Sequence, residues 1–215
     1  MEVQRFVFNP FQENTYVLYD AVTKQCVVID PGMCHLREWD EMKDWLEARG
    51  LTPTLLLLTH CHLDHMLGSG YLAEKFGLMP NGPLEDYEKL PSPQHQAMMF
   101  GLSCPSTISP VVKNIKEGDE IPFGDTTIQV LDISGHSFHG LCYYLPKEKL
   151  LFSGDVLFYG SIGRSDFGEE MGGNGERLIE GIQCKLLSLP QETVVYPGHG
   201  PQTSIGQELQ INPFI

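Results

Sequence analysis

Basic side chains are scarce in this 215-residue chain: 14 Lys and Arg stand against 28 Asp and Glu, a formal net charge of −14. A surface that acidic repels nucleic-acid phosphates and anionic lipid, so neither nucleic acid nor a membrane is an expected partner, although a bound cation inverts the field locally. No uninterrupted apolar run approaches the ~20 residues that span a bilayer. Paired cysteines are missing too. Cys26, Cys34, Cys61, Cys104, Cys142 and Cys184 show no Cys-x-x-Cys spacing and no small-domain disulfide pattern, and read as reduced thiols. The opening residues, Met1 to Phe6, lack a basic stretch followed by an apolar one, so no secretory leader is expected and the cytoplasm is the expected location. Repeats, low-complexity tracts and linkers are absent. The length suits one large domain or two small ones with a substantial core, and a single domain over 1–215 is expected.

What is present begins with β-prone runs at Val3 to Phe8, Thr15 to Tyr19 and Cys26 to Ile29, an opening meander. Asp30-Pro31-Gly32 stops the third run. Leu36 to Ala48 then has helical periodicity, apolar at Leu36, Trp39, Met42, Trp45 and Leu46 and ending at Gly50, and Thr54 to Leu58 reads as a buried strand. A short helix is expected over Gly68 to Phe76, and one helix from about Leu84 to Phe100 inside the proline-rich stretch 77–117. Four strands follow, at Asp119 to Phe123, Thr126 to Ile133, Leu141 to Leu145 and Lys149 to Ser153. An amphipathic helix over Glu176 to Leu189 and a strand at Thr193 to Tyr196 complete two halves of similar order, β-rich then α.

The end of the strand at Thr54 to Leu58 carries Thr59-His60-Cys61-His62-Leu63-Asp64-His65. A lone histidine is ordinarily a surface or core residue. Three imidazoles and a carboxylate in six positions are different, because residues two apart on an extended segment share a side, so His60 and His62 can converge on one ion. Asp64 and His65, past a turn, can face a second. Nitrogen and oxygen donors without a thiolate pair select a borderline divalent ion such as zinc, or iron or manganese. Cys61 points to the opposite side and is not expected to be a ligand.

Three distant segments place a further donor directly after a strand-like run: Ser134-Gly135-His136, Ser153-Gly154-Asp155 and Pro197-Gly198-His199-Gly200. With these motifs and Asp30-Pro31-Gly32, nearly the whole chain resembles the metallo-β-lactamase fold superfamily. The stretch Phe152 to Asp166, with Gly160-Ser161-Ile162-Gly163-Arg164-Ser165-Asp166, and the ending Tyr196-Pro197-Gly198-His199-Gly200-Pro201 with Asn212-Pro213-Phe214 resemble its glyoxalase II (hydroxyacylglutathione hydrolase) branch, in the short bacterial form.

That resemblance implies an α/β fold, a four-layer αββα sandwich, holding two divalent metal ions, zinc in the first instance. One ion would be bound by His60, His62 and His136, the other by Asp64, His65 and His199, with Asp155 between them. It implies a small-molecule thioester substrate such as S-2-hydroxyacylglutathione, attacked by a hydroxide shared by the metals, with Asp64 orienting the nucleophile. The segments that grip glutathione in longer relatives have no counterpart here, so the thiol carrier stays open, as does the oligomeric state. A mono-iron persulfide dioxygenase, which shares the His-Cys-His-x-Asp-His motif, is the competing chemistry.

Several neighbouring residues have expected roles. Asp30 either orients a ligand imidazole or the motif's backbone, or merely forms the turn before Pro31. Arg164 and Asp166 are expected as a buried ion pair fixing the loop after Asp155. His139, where relatives often have glycine, is read as a solvent-facing or outer residue, and His35 and His95 as structural or exposed. Met98-Met99-Phe100 are expected to pack in the core rather than to wall the site.

Overall fold

A computed structural model describes residues 1–102 and 108–215. Cys104 lies outside the described residues, and the other five cysteines are free thiols. The described chain forms two compact units, Met1–Asn114 and Ile115–Ile215, each with a six-stranded sheet.

The first unit opens with β1 (Glu2–Phe8), β2 (Glu13–Tyr19) and β3 (Gln25–Ile29), paired antiparallel as a meander. Helix α1 (Leu36–Arg49) then crosses over, so that β4 (Thr52–Leu57) lies parallel to β3. The short strands β5 (Asn81–Gly82) and β6 (Lys113–Asn114) extend the sheet in the order β1-β2-β3-β4-β5-β6. The helix forms because Trp39, Met42 and Leu46 fall on one face and are buried, each contributing roughly 1.5–3 kcal/mol. It stops at Gly50, whose φ of 63° is the left-handed cap that glycine adopts without strain. The crossover places the ends of β3 and β4 side by side: the Asp30 amide donates to the Leu57 carbonyl at 3.0 Å. The histidine motif leaves the sheet at that point, and α2 (Ser69–Phe76) follows it.

The helix expected over Leu84 to Phe100 is two helices, α3 (Leu84–Lys89) and α4 (Pro93–Met99). Pro91 and Pro93 account for the break, since neither has an N–H to continue the helix and each pushes the preceding residue towards extended backbone. Met98, Met99 and Phe100 are 71%, 60% and 56% exposed, so the expected core packing of these side chains does not occur.

In the second unit β7 (Glu120–Phe123), β8 (Thr126–Asp132), β9 (Leu141–Leu145) and β10 (Leu150–Gly154) pair antiparallel in sequence order. The hairpin β11 (Leu157–Phe158) and β12 (Ser161–Ile162) and helix α5 (Gly175–Gly181) precede β13 (Val194–Pro197), which lies parallel to β10. Strand β14 (Thr203–Ser204) and helix α6 (Ile205–Ile211) complete the unit. The expected long helix over Glu176 to Leu189 runs as α5 into a π-helical turn, Ile182–Leu186. The buried residues there are Leu178, Ile182 and Leu186, spaced by four, and the widened turn keeps them on one face of the core with Cys142, Leu151, Val156 and Val195. Among the described residues no helix is long and apolar enough to cross a membrane.

Candidate metal centre

In the first unit the motif is anchored by Asp30, which sits at the end of β3 with a φ of 51°, an unusual backbone state for a residue other than glycine. Its Oδ1 accepts from the Thr59 amide at 2.7 Å, and its Oδ2 accepts from the Thr59 hydroxyl at 2.7 Å and from His65 Nδ1 at 3.1 Å. Thr59 Oγ1, having spent its proton on Asp30, accepts in turn from His60 Nδ1 at 3.0 Å. Both rings therefore carry their proton on Nδ1 and present a bare Nε2 lone pair, the form in which imidazole binds a metal.

The rings cluster accordingly. His60 and His62 stand with centroids 4.7 Å apart, and His60 and His65 4.2 Å apart. His65 Nε2 lies 3.7 Å from Asp64 Oδ2. Cys61 is turned away, with its thiol towards the Pro83 carbonyl at 3.8 Å. Burial and the neighbouring Asp86 and Asp30 carboxylates push that thiol well above its usual range, so it stays protonated.

Around this cluster the structure supplies polar groups that carry no sequence motif. Asn9 Nδ2 donates to the carbonyls of Gly32 at 2.9 Å and Asp64 at 3.0 Å. Glu13 is fully buried, and its Oε2 accepts from the Thr15 hydroxyl at 2.9 Å. Desolvation pushes its carboxyl well above the ordinary value, His65 opposes that shift, and Asp30 and Asp64 reinforce it. Gly32 leaves room for this carboxyl group: a Cβ there would fall 1.9 Å from Glu13 Oε2 and 2.8 Å from Asn9 Nδ2 and would displace both side chains. Asp86 and Gln96, both buried, bond the backbone of the motif at Cys61 and Leu63. Glu13, at the start of β2 and followed by Asn14 and Thr15, offered no sequence clue, nor did Asn9, Asp86 and Gln96.

In the second unit the β8–β9 loop carries His136, the end of β10 carries Asp155, and the loop after β13 carries His199. His136 Nδ1 lies 2.8 Å from the Arg164 carbonyl, which can only accept, so this ring too keeps Nε2 bare. His136 Nε2 and His199 Nε2 stand 3.4 and 3.5 Å from the same oxygen, Asp155 Oδ2. Gly163 permits the arrangement: a Cβ there would lie 1.8 Å from the Asp155 carbonyl oxygen and 3.2 Å from His136 Cβ. Phe167 packs edge-on to His136 at 5.6 Å and Phe158 edge-on to His199 at 6.1 Å, giving the donors apolar flanks.

Two donors bound about 2.0–2.1 Å from a tetrahedral zinc ion stand about 3.3 Å apart. The nitrogen–oxygen separations within each unit, 3.4, 3.5 and 3.7 Å, are close to that spacing. Imidazole nitrogens beside carboxylate oxygens are also the donor chemistry of a divalent ion, and the residues present fit one. Residues 8–199 match the description Metallo-beta-lactamase superfamily. The chain belongs to that superfamily, and with it to the metal-dependent hydrolases.

Superfamily relatives match end to end. The probable metallo-hydrolase YqgX of Bacillus subtilis is 35% identical over all of this chain and 98% of its own length. The hydroxyacylglutathione hydrolase GloC of Haemophilus influenzae is 34% identical over the same shares. Among solved structures, the BLEG-1 B3 metallo-beta-lactamase is similar at a TM-score of 0.88, with 35% identity over 99% of both chains. TTHA1623 in a di-iron-bound form is similar at 0.85, with 35% identity over 99% of this chain and 100% of its own. The α/β fold of the metallo-β-lactamase type expected from the motifs is thus the fold observed.

The flanking residues depart from expectation in one respect. Arg164 and Asp166 do form a two-pronged pair, at 3.0 and 3.1 Å, but both side chains are 70% exposed, so the pair is not buried. The guanidinium instead stacks over Phe167, 4.7 Å from its centroid. The loop is held from its backbone side, by the His136 bond to the Arg164 carbonyl. His139 pairs with Asp132 at 2.5 Å across the neck of the β8–β9 loop. Asp30 fills both roles weighed for it, turn and ring orienter, and His35 and His95 are exposed.

Proposed function

We propose that this superfamily member is a dinuclear thioesterase acting on an S-2-hydroxyacylglutathione-like substrate. In this reading His60, His62 and His136 would hold one ion and Asp64, His65 and His199 the other, with Asp155 as a ligand shared by both. The observation that carries it is the position of Asp155 Oδ2 between two imidazole nitrogens at 3.4 and 3.5 Å, the stance of a bridging carboxylate. The full-length similarity to a hydroxyacylglutathione hydrolase supports the substrate class.

When bound, a divalent pair supplies Lewis acidity towards the carbonyl and lowers the pKa of attacking water. The chain's own residues do the rest. Asp64, its backbone carbonyl held by Asn9, accepts a hydrogen bond from the attacking water and aims its lone pair at the thioester carbon. Asp30 and Thr59 hold the Nδ1 sides of His65 and His60, leaving Nε2 of each ring to face the metal. A thiolate leaves without a dedicated proton donor, which suits a site whose ionisable groups are committed to metal.

The test is metal analysis combined with a substrate panel headed by lactoylglutathione. Two equivalents of zinc, iron or manganese and thioester turnover that falls by orders of magnitude in metal-loaded Asp64→Asn are expected. Turnover of a cephalosporin in place of thioesters would move the assignment to the chemistry named for the BLEG-1 neighbour. One iron per chain, with oxygen consumed on glutathione persulfide, would replace hydrolysis by oxidation.

A further inference from the structure

Helix α4 packs Ala97 against the cluster of Leu63, Leu67 and Cys34 and reaches the backbone of the histidine motif through Gln96. Gln96, 3% exposed, accepts from the Leu63 amide through Oε1 at 2.9 Å and donates through Nε2 to the carbonyls of Cys61 at 3.2 Å and Pro91 at 2.9 Å. The Cys61 carbonyl and the Leu63 amide are the two peptide groups on either side of His62. One carboxamide therefore brackets that histidine's backbone from both sides, much as a neighbouring strand would. On the near side Asp86 Oδ2 accepts from the Cys61 amide at 2.7 Å. His62 itself is held at φ −69° and ψ 147°, the extended state from which the chain enters the 3-10 turn Leu63–His65.

We propose that Gln96 is the positioning residue for His62, fixing through its two flanking peptides the direction in which that imidazole meets the metal. The inference rests on the dinuclear reading above. Three rings are steered at Nδ1, His60 by Thr59, His65 by Asp30 and His136 by the Arg164 carbonyl; Gln96 acts on the backbone of His62. A ligand must be held within about 0.5 Å and 10–20° of its productive geometry. Rotating either peptide beside His62 swings its ring by more than that. Both peptides that Gln96 holds flank His62, whereas His65 is reached only through the next turn, by its amide donating to the His62 carbonyl at 3.1 Å, so the effect falls first on the ion that His62 binds.

The experiment is a two-equivalent metal titration by competition with a chromophoric chelator, using zinc for affinity and cobalt for the visible spectrum, on the whole chain. In Gln96→Met, which keeps the length and loses the hydrogen bonds, one equivalent should weaken about 10–100-fold, the usual effect of removing an outer partner of a ligand. The other should weaken clearly less, and the cobalt bands should shift. Met42→Ala, in the buried face of α1, serves as control: it lowers thermal stability and leaves both equivalents unchanged. Should Gln96→Met fail to fold, Gln96→Glu gives the same readout, since it keeps the acceptor for Leu63 and loses the donor to Cys61. Wild-type affinity at both equivalents with an unshifted cobalt spectrum overturns the proposal, as does equal weakening of both. A wild-type chain that binds no metal at all overturns the dinuclear reading instead, which separates the two failures.

Discussion

Asp30 Oδ2 lies 3.1 Å from His65 Nδ1, and the same oxygen takes the Thr59 hydroxyl at 2.7 Å. One buried carboxylate at the end of β3 thereby sets the proton position on two imidazoles of the motif, directly for His65 and through Thr59 for His60. Asp30→Asn keeps the shape but replaces one of two acceptor oxygens with an N–H. Facing Thr59 and His65 at the Oδ2 position, it turns His65 to the other tautomer; facing the Thr59 amide at the Oδ1 position, it breaks the motif's backbone anchor. Metal affinity should fall about 10–100-fold, measured by chelator competition. Unchanged affinity would show that Asp30 serves only the turn.

Metal removal should be visible in stability as well as in turnover. A ligand present at about 1,000 times its Kd stabilises the native state by about 4 kcal/mol, and in a chain of this size each kcal/mol moves Tm by roughly 2–4 °C. Chelation should lower the calorimetric Tm by on the order of 10 °C. Re-addition of zinc, iron and manganese in turn should restore it to different extents, ranking the metals. A Tm indifferent to chelator would mean that the clustered imidazoles bind no ion tightly.

The clustered histidines and carboxylates proposed as ligands were legible because each belongs to a local pattern: a strand end followed by histidines at fixed spacing, or glycine before a donor. The strands and α1 were legible for the same reason, since hydrophobic period is a local property. Gln96 and Asp86 were not, because nothing near either in sequence distinguishes a buried glutamine or aspartate from a solvated one; their meaning lies in backbone atoms 33 and 25 residues away. The break between α3 and α4 is written in Pro91 and Pro93, which a single helix over Leu84 to Phe100 leaves out of account. The exposure of Met98, Met99 and Phe100 depends on which face of a seven-residue helix meets the rest of the unit. Periodicity does not supply that over so short a span.

Glu13 gives a pH dependence of definite sign in the metal-free protein. Its carboxyl is raised above the ordinary value of about 4.5, chiefly by burial. A raised acid favours folding while it is protonated in both states, below about pH 4.5, and that contribution is lost as pH rises towards the folded-state value. Glu13→Gln removes the ionisation. The stability of the variant relative to wild type should therefore grow as pH increases from about 4.5, in chelator-treated samples followed by urea unfolding. A difference between the two that is flat across that range would place the Glu13 carboxyl in its ordinary range.

Glu208 ties the C-terminal helix to the chain that follows Asp155. It is fully buried on α6, and its two oxygens accept from the Gly160 amide at 2.9 Å, the Asn212 amide group at 2.8 Å and the Thr203 hydroxyl at 2.5 Å. Gly160 is the turn of the β11–β12 hairpin, and Asn212 donates also to the Ser161 carbonyl at 3.0 Å, so helix and hairpin are joined at both residues. Glu208→Leu has a similar volume and removes the acceptor for all three donors. An orphaned buried donor costs about 1–3 kcal/mol. Because the Gly160 amide is only partly buried and Asn212 keeps its second bond, the sum should come to about 3 kcal/mol rather than the full additive value. The measurement is the urea midpoint at unchanged m-value. Glu208→Gln, which retains an acceptor oxygen, should recover part of the loss. A leucine variant within about 0.5 kcal/mol of wild type, the ordinary range for surface substitutions, would mean that the hairpin holds its place without α6.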